Sequence, residues 1–215
     1  MTNFVTLDKF PNSTIGSVDD ESDLYWKKFN TAFSLKRDEQ INNLEFVNSK
    51  NDSTLVVSAG CDVILRKDGI LDKELLISKF TREIRTSTLR KDSKLLAASG
   101  DEQNVKLIDP QNKQLLRKLE GHSDIVKKIS FDSESLTNIA SFSNDGNFWF
   151  WDIPRNKKIV KIKAHENGIS DGFQCYENKH NWFTAGKSDS LIRGWDLRAP
   201  ENFISFKTFF KIQVL

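Results

Sequence analysis

Three residues of the types used by serine hydrolases lie within a span of 24 residues: His122, Ser141 and Asp145. An imidazole held by a carboxylate can take a proton from a serine hydroxyl, which makes that hydroxyl a nucleophile for acyl transfer. Trp151 follows at the end of the same segment, and a buried indole N–H has to find an acceptor. The four residues therefore also fit a second interpretation, in which they form one buried hydrogen-bond chain with no catalytic role.

The same landmarks recur further along the chain. Gly121-His122 and Ala164-His165 begin two segments, and their histidines are 43 residues apart. The segments end at Trp151-Asp152 and Trp195-Asp196, whose tryptophans are 44 residues apart. Counting back 43 residues from Trp151 reaches Ile108-Asp109, in a similar context that lacks the Trp. A period near 43 residues predicts a chain of repeated structural units.

Each unit contains four short apolar segments separated by turn-forming residues, which is the pattern of antiparallel strands. The third unit is the clearest, because Ser143-Asn144-Asp145-Gly146 supplies residues that favour a tight turn. No segment shows a convincing helical period. The predicted strands are, unit by unit, 41–47, 54–59, 63–66 and 75–78; 83–89, 95–99, 105–109 and 115–119; 125–131, 138–141, 147–151 and 159–163; and 169–175, 182–185, 191–195 and 202–206.

Four strands per 43 residues, with Gly-His near the start and Trp-Asp at the end, resemble a blade of a WD40 β-propeller. The resemblance implies an all-β fold with WD40 repeats over 31–207, preceded by a lead-in over 1–30 and followed by a tail over 208–215. It also implies that the four residues of the third unit are a structural tetrad and that no residue is catalytic. The tetrad residues are His122, Ser141, Asp145 and Trp151.

The fourth unit carries three of the four tetrad residue types, namely His165, Asp189 and Trp195. Ala185 stands ten residues before the Trp, where the third unit has its hydroxyl. We therefore expect a partial tetrad, whose indole N–H finds Thr184, a water or no partner. In the second unit the hydroxyl and Trp positions are both apolar, and we expect packing alone to hold that unit together. The residues at these two positions are Ala98 and Ile108.

The number of units predicts an incomplete propeller. Propellers have four to eight blades, a WD40 ring usually has seven, and 41–207 holds just under four units. In this family a strand such as Thr31–Lys36 closes the ring with three strands from the end of the chain, and only nine residues follow Phe206. We therefore expect an open arc of about four blades. Its fourth blade should expose an apolar face, so the expressed chain should aggregate unless a partner covers that face.

Composition excludes several classes of function. The mean hydropathy of −0.50 and the lack of a long apolar run predict no membrane span, and the first eleven residues do not resemble a secretory signal. Cys61 and Cys175 are too few for a disulfide framework and lack metal-ligand spacing. The net charge of +2 gives no overall attraction to nucleic acid. We expect no metal, no cofactor and no small-molecule substrate.

A basic run over Arg155–Lys163 contains five Lys and Arg residues and covers a turn and the outermost predicted strand of the third unit. We interpret this run as a solvated edge, because lysines commonly protect edge strands from pairing. Contact with RNA phosphate is the alternative interpretation. A second group of cations in the second unit has the same two interpretations. It contains Arg82, Arg85, Arg90, Lys91 and Lys94.

The segment before the first unit points to one branch of WD40 proteins. Asp23-Leu24-Tyr25-Trp26-Lys27-Lys28-Phe29 resembles the Leu-Tyr-Trp lead-in of the family of U-three small nucleolar RNA-associated protein fifteen, a subunit of the small-subunit processome. Further stretches resemble that family in the same order. They are Ile77-Ser78-Lys79-Phe80, the run from Leu89 to Ala98, Leu119-Glu120-Gly121-His122 and Trp151-Asp152-Ile153-Pro154.

This resemblance implies a non-enzymatic scaffold in the nucleolus, acting in pre-ribosomal RNA transcription and in processing toward 18S rRNA. The implied partners are other WD-repeat processome proteins and the pre-rRNA or snoRNP particle, contacted directly or through partners. The family has three further blades and a helical domain, for which we find no counterpart in this sequence.

A rival interpretation comes from Trp195-Asp196-Leu197-Arg198. These residues fit the Trp-Asp-x-Arg pattern with which substrate receptors of cullin-type ubiquitin ligases meet their adaptor. A generic WD40 interaction scaffold is also compatible with the repeats. A hydrolase using His122, Ser141 and Asp145 is the least favoured interpretation, because Trp151 completes the tetrad at the spacing of a WD40 blade.

Overall fold

The computed structural model describes residues 38–48, 53–67 and 74–207. The Tyr25-Trp26 lead-in, the expected closing strand Thr31–Lys36 and the tail over 208–215 lie outside these residues. The described part of the chain is built from β-strands joined by turns. It contains no helix that is long and apolar enough to cross a membrane.

Sixteen strands form four antiparallel sheets of four strands, and each sheet follows the order of the chain. Blade 1 contains β1 (Ile41–Asn48), β2 (Ser53–Ala59), β3 (Asp62–Lys67) and β4 (Glu74–Ile77). Blade 2 contains β5 (Ile84–Leu89), β6 (Leu96–Gly100), β7 (Val105–Asp109) and β8 (Gln114–Leu119). Blade 3 contains β9 (Val126–Phe131), β10 (Asn138–Ser143), β11 (Asn147–Asp152) and β12 (Lys157–Lys163). Blade 4 contains β13 (Ile169–Gln174), β14 (Asn181–Gly186), β15 (Leu191–Asp196) and β16 (Ala199–Lys207).

All sixteen predicted strands are present, and their ends lie within three residues of the predicted ones. The prediction of an all-β fold built from four propeller blades is therefore confirmed. Where the ends differ, the ladder usually runs further than the apolar pattern. For example, a bulge opposite Phe150 and Trp151 lets β12 begin at Lys157 rather than at Ile159, because a bulge absorbs one residue without ending the pairing.

The apolar cores lie between consecutive blades rather than inside them. One core joins blades 1 and 2 through residues such as Val56 and Leu96. The second joins blades 2 and 3 through residues such as Leu107 and Ile139, and the third joins blades 3 and 4 around Trp182. Each strand therefore buries side chains on the faces that meet a neighbouring blade, as in other repeat proteins.

Hydrogen bonds between blades repeat with the period of the sequence. The Thr88 hydroxyl of blade 2 donates to the Glu45 carboxylate of blade 1, 43 residues away. The backbone N–H of Ile129 in blade 3 donates to a blade 2 hydroxyl, also 43 residues away. Gln174 of blade 4 donates to Asp132 of blade 3, 42 residues away. The repeat seen in the sequence is thus a repeat of contacts across each interface.

The blades pack in chain order, blade 1 on 2, 2 on 3 and 3 on 4. Within the described ranges, no pair of strands packs blade 4 on blade 1 to a comparable extent. On blade 4, Phe173 is 57% exposed and stacks on Phe183 with ring centroids 5.3 Å apart. The aggregation of the isolated chain stays a prediction.

Candidate functional site: two buried hydrogen-bond chains and a basic rim

The structure brings the four predicted residues of blade 3 together in one hydrogen-bond chain. The Trp151 indole N–H donates to Ser141 Oγ over 2.9 Å. Ser141 Oγ lies 2.8 Å from His122 Nε2, and His122 Nδ1 lies 2.9 Å from Asp145 Oδ2. With the serine O–H donating to Nε2 and Nδ1–H donating to the carboxylate, every polar group in the chain has a partner.

The β10–β11 turn holds the carboxylate of this chain in place. Asp145 lies in the turn, and its carboxylate accepts the backbone N–H groups of Ser123 and Asn147 in addition to the His122 ring. Gly146 completes the turn with a φ of +80°, and a Cβ at this position would collide with the carbonyl oxygen of His165. The turn thus needs glycine for its backbone angle and for its contact with the next unit.

Burial and hydrogen bonding fix the charge state of the pair. Burial lowers the pKa of the His122 imidazole, which outweighs the opposing effect of Asp145, and the nearby Lys158 and Lys161 lower it further. Burial raises the pKa of Asp145, but hydrogen bonds from His122 and the backbone outweigh it and hold that pKa below its ordinary value. The folded state therefore favours a neutral imidazole beside an ionised carboxylate.

Acidification is expected to destabilise the fold through His122. The unfolded chain takes up a proton on this residue near pH 6.5, whereas the folded chain takes it up only at lower pH. Stability should therefore fall as the pH drops below about 6.5, by at most about 1.4 kcal/mol per pH unit for this one group. Asp145 should add a further loss once the pH falls below 3.8.

Urea unfolding at a series of pH values between 7.5 and 5.0 measures this effect. A His122→Gln variant, which has no group titrating at this position, should show a weaker pH dependence of the unfolding free energy than the parent chain. Parallel curves for the two chains would contradict the assignment of this pH dependence to His122.

The ring of His122 is also held by an aromatic neighbour. Trp149 stacks on it, with ring centroids 3.8 Å apart and an interplanar angle of 12°. On the outermost strand, Lys158 places its ammonium 3.7 Å from the centre of the Trp149 ring, a cation–π contact. The tetrad is therefore covered from the side of β12 by an indole and an ammonium.

Blade 4 has a complete hydrogen-bond chain of the same kind, and of the three alternatives expected for its indole N–H (Thr184, a water or no partner) the structure has Thr184. The Trp195 N–H donates to Thr184 Oγ1 over 2.9 Å, and that oxygen lies 2.9 Å from His165 Nε2. His165 Nδ1 lies 2.6 Å from Asp189 Oδ2. Thr184 is thus the hydroxyl residue, and the placement of Ala185 at that position is wrong.

The register of the sheet explains the difference. Ser141 pairs with the residue two before Trp151, and Thr184 pairs with the residue two before Trp195, so the two hydroxyls are equivalent. The turn between β14 and β15 is one residue longer than its counterpart in blade 3, which moves the hydroxyl from ten to eleven residues before the Trp. Counting forward from the histidine finds both hydroxyls, because each lies 19 residues after it.

Blade 2 replaces the tetrad with an ion pair, which corrects the expectation of apolar packing alone. Ala98 and Ile108 are fully buried as predicted. Beside them, however, the ammonium of Lys106 lies 2.7 Å from Glu102 and donates to the carbonyl of Lys79. Lys106 is itself buried, so the pair satisfies a charge that would otherwise be stranded.

The Ser141 hydroxyl has the partners of a catalytic serine but no access to a substrate. Its residue is 0% exposed, and the Trp151 indole already donates to its oxygen. A nucleophile must reach the carbonyl it attacks, and nothing in this environment allows that. A catalytic triad and a structural tetrad share the same order of hydrogen bonds. The burial of the serine therefore distinguishes the two.

Most of the second cationic group predicted from the sequence is engaged within the fold. Arg85 pairs with Asp101, and Arg90 pairs with Asp92 and also donates to the carbonyl of Leu136. Lys91 donates to a blade 3 carbonyl. These three cations thus have structural partners, which the sequence alone does not reveal.

The basic run of blade 3 lies on β12, where Lys157, Lys161 and Lys163 are exposed. The matching strand of blade 2 is β8. It is not among the basic segments predicted from the sequence, although Lys113, Arg117 and Lys118 are exposed on or beside it. The signal that could have found them is the repeat itself, because β8 and β12 occupy the same place in consecutive blades.

Arg198 of the Trp-Asp-x-Arg pattern ends the two-residue turn between β15 and β16. Its side chain is 61% exposed and pairs with Asp196 over 2.6 Å. The guanidinium is thus on the surface and held in one orientation by its neighbour.

Comparison with known proteins finds similarity to proteins with WD40 repeats, in agreement with the blades of the structure. The family model described as "WD domain, G-beta repeat" matches residues 113–152. The U3 small nucleolar RNA-associated protein 15 homologs of Xenopus laevis and Xenopus tropicalis are 29% and 27% identical over 89% and 94% of this chain. The DDB1- and CUL4-associated factor 13 of Danio rerio is 30% identical over 41% of this chain and 19% of its own length.

The chain spans 36% and 38% of the length of the two Xenopus proteins. The matched segment 113–152 begins just before β8 and ends with β11, so it includes the whole tetrad of blade 3. Together, the four-stranded blades and the matched repeat indicate a WD40-type propeller fold. Along most of its length the chain is similar to U3 small nucleolar RNA-associated protein 15 homologs.

Proposed function

We propose that this chain is a non-enzymatic WD40 scaffold of the nucleolar small-subunit processome, acting in pre-ribosomal RNA transcription and in processing toward 18S rRNA. The observation that carries the proposal is the similarity to proteins named for association with U3 small nucleolar RNA, which extends over 89–94% of the chain. The partners we propose are other WD-repeat processome proteins and the pre-rRNA particle, contacted directly or through those proteins.

In this proposal the two hydrogen-bond chains are structural tetrads. Each joins the loop before the first strand of a blade to its second and third strands, as the bonds of His122 and His165 illustrate. A buried, fully bonded network makes a blade rigid without exposing a reactive group. Rigid blades would present constant surfaces to several partners at once, which is what an assembly scaffold requires.

Affinity purification of the tagged chain from cells tests the proposed function. We expect enrichment of WD-repeat processome proteins and of U3 RNA over an untagged control, with the tagged chain in the nucleolus by microscopy. Recovery of neither U3 RNA nor nucleolar proteins from a soluble, folded chain would contradict the proposal.

A ubiquitin-ligase substrate receptor is the second candidate, because Arg198 is exposed and oriented on the surface. The similarity to a protein named for association with DDB1 and CUL4 supports the same candidate. The Arg198→Ala variant separates the two functions in the same purification. Under the scaffold proposal its partners are those of the parent chain, whereas a ligase receptor would lose its adaptor. Arg155→Ala, which removes another exposed arginine, is the matched control.

A further inference from the structure

The outer strands of blades 2 and 3 concentrate positive charge. Segments 113–120 and 154–163 together contain eight Lys and Arg residues and one Asp or Glu, whereas the whole chain contains 32 and 30. β8 and β12 are the outermost strands of consecutive sheets. We call this surface the basic rim and define it by five exposed cations, Lys113, Arg117, Lys118, Lys157 and Lys161.

The cations of the basic rim are not neutralised by carboxylates within the described residues. None of the five forms an ion pair within the described residues, whereas Arg85, Arg90 and Arg198 each pair with an aspartate. A solvated edge would need only a few charges to prevent strand pairing. Five uncompensated cations along two neighbouring strands exceed that need and leave a field that attracts polyanions.

A groove lies where the end of β8 meets the start of β12. It has a volume of about 440 Å³ and is bordered by three ammonium groups, one amide, one carboxylate and one indole. Lys158 is held over the Trp149 ring, and burial together with the nearby Lys161 lowers its pKa. Because such crowding disfavours the charged form, an anion in the groove would stabilise it. The lining residues are Lys118, Glu120, Trp151, Asn156, Lys157 and Lys158.

The exposed residues of the basic rim favour a nucleic acid as the polyanion. Lys157 and Lys161 lie exposed on β12, whereas the Lys163 ammonium already donates to the carbonyl of Asp145. Leu116 and Ile159 lie exposed among them and offer apolar contact to bases. An RNA single strand carries one phosphate per nucleotide and exposes its bases, which matches both features.

We propose that the basic rim binds single-stranded RNA through its phosphates. This inference rests on the proposed function, in which the assembly contains RNA, and names the surface that contacts it directly. It replaces the expectation that Arg155–Lys163 is only a solvated edge, since the neighbouring segment 113–120 adds three cations to these five and borders the same groove.

Fluorescence anisotropy with a labelled 20-nucleotide poly(U) RNA tests the proposal on the 215-residue chain. The variant Lys113→Gln, Arg117→Gln, Lys118→Gln should bind at least about tenfold more weakly at 50 mM salt. The slope of log affinity against log salt should become shallower by about 0.7 for each phosphate that the variant no longer neutralises. The variant Lys157→Gln, Lys161→Gln should lose affinity in the same manner.

The matched control removes three exposed cations outside the basic rim, through Lys79→Gln, Arg82→Gln and Lys94→Gln. It should retain RNA affinity within about twofold, because none of its charges belongs to the basic rim or lines the groove. Circular dichroism melting checks that all variants are folded. Equal losses in the rim and control variants, or no RNA binding by the parent chain, would overturn the proposal.

A labelled 20-residue poly-glutamate peptide provides the remaining comparison. Binding to this peptide as tight as to the RNA would assign the basic rim to an acidic protein segment instead. Recovery of processome partners by a variant that has lost RNA affinity would leave the scaffold function standing, so the two proposals fail separately.

Discussion

Trp182→Ala is expected to lower the free energy of unfolding by about 3–5 kcal/mol, the usual cost of removing a large buried aromatic side chain. Trp182 is fully buried at the junction of blades 3 and 4. Its ring lies 5.6–6.0 Å from those of Phe142, Phe148 and Phe150. Its loss would open a cavity in the core that joins the two blades, so blade 4 should unfold first.

The control for this prediction is Trp182→Phe. The indole nitrogen of Trp182 is buried without a hydrogen-bond partner in the described residues, so a phenyl ring removes an unsatisfied donor and leaves only a smaller cavity. We expect a cost below about 1.5 kcal/mol. Trp195→Phe should cost more, because the Trp195 N–H is donated to Thr184. Urea unfolding followed by far-UV circular dichroism measures all three, and equal costs for Trp182→Ala and Trp182→Phe would refute this account of the core.

Thr184→Ala is expected to destabilise the chain by about 2–4 kcal/mol. The hydroxyl accepts the Trp195 N–H and bonds to the His165 ring, so its removal leaves two buried polar groups without a partner at about 1–3 kcal/mol each. The change should also lower the proteolytic resistance of blade 4, because the histidine no longer fastens its loop to β14. Urea unfolding and limited trypsin digestion provide the two measurements.

Two further substitutions test whether the loss of stability comes from the hydroxyl at position 184. Thr184→Ser keeps the hydroxyl and should cost only about 1 kcal/mol for the lost methyl group. Ala185→Ser places a hydroxyl at the position expected from counting back from Trp195, and we expect a change within about 0.5 kcal/mol. A large stabilisation by Ala185→Ser, or a neutral Thr184→Ala, would show that the indole is bonded elsewhere.

The sequence predicts the blades well because the period and the strand pattern are physical consequences of the same contacts. Thr88 and Glu45 lie 43 residues apart and meet across an interface, so the repeat length is the distance along the chain between equivalent points of two blades. The tetrad around Trp151 is predictable because all four residue types are present at the spacing that one turn length requires.

The features that are harder to predict depend on the register of the strands and on which residues of different strands meet in the folded chain. Counting 19 residues forward from His165 reaches Thr184, whereas counting ten residues back from Trp195 does not, because the β14–β15 turn is one residue longer than its counterpart in blade 3. The Lys106–Glu102 pair substitutes for a tetrad with unrelated chemistry, so no tetrad motif marks it. The basic rim requires β8 and β12 to be neighbours, because Lys118 and Lys157 lie far apart in the sequence and border one groove only in the folded chain.

The longer turn of blade 4 also indicates where foreign sequence can be inserted. In both blades the carboxylate lies six residues before the Trp, so the extra residue falls between Thr184 and Asp189 without disturbing either bond of the histidine. Ser188 is exposed in this turn, and exposed turn tips tolerate insertions. A short epitope or a labelling tag placed beside Ser188 should therefore report on the location of the chain in living cells while both tetrads and the basic rim stay intact.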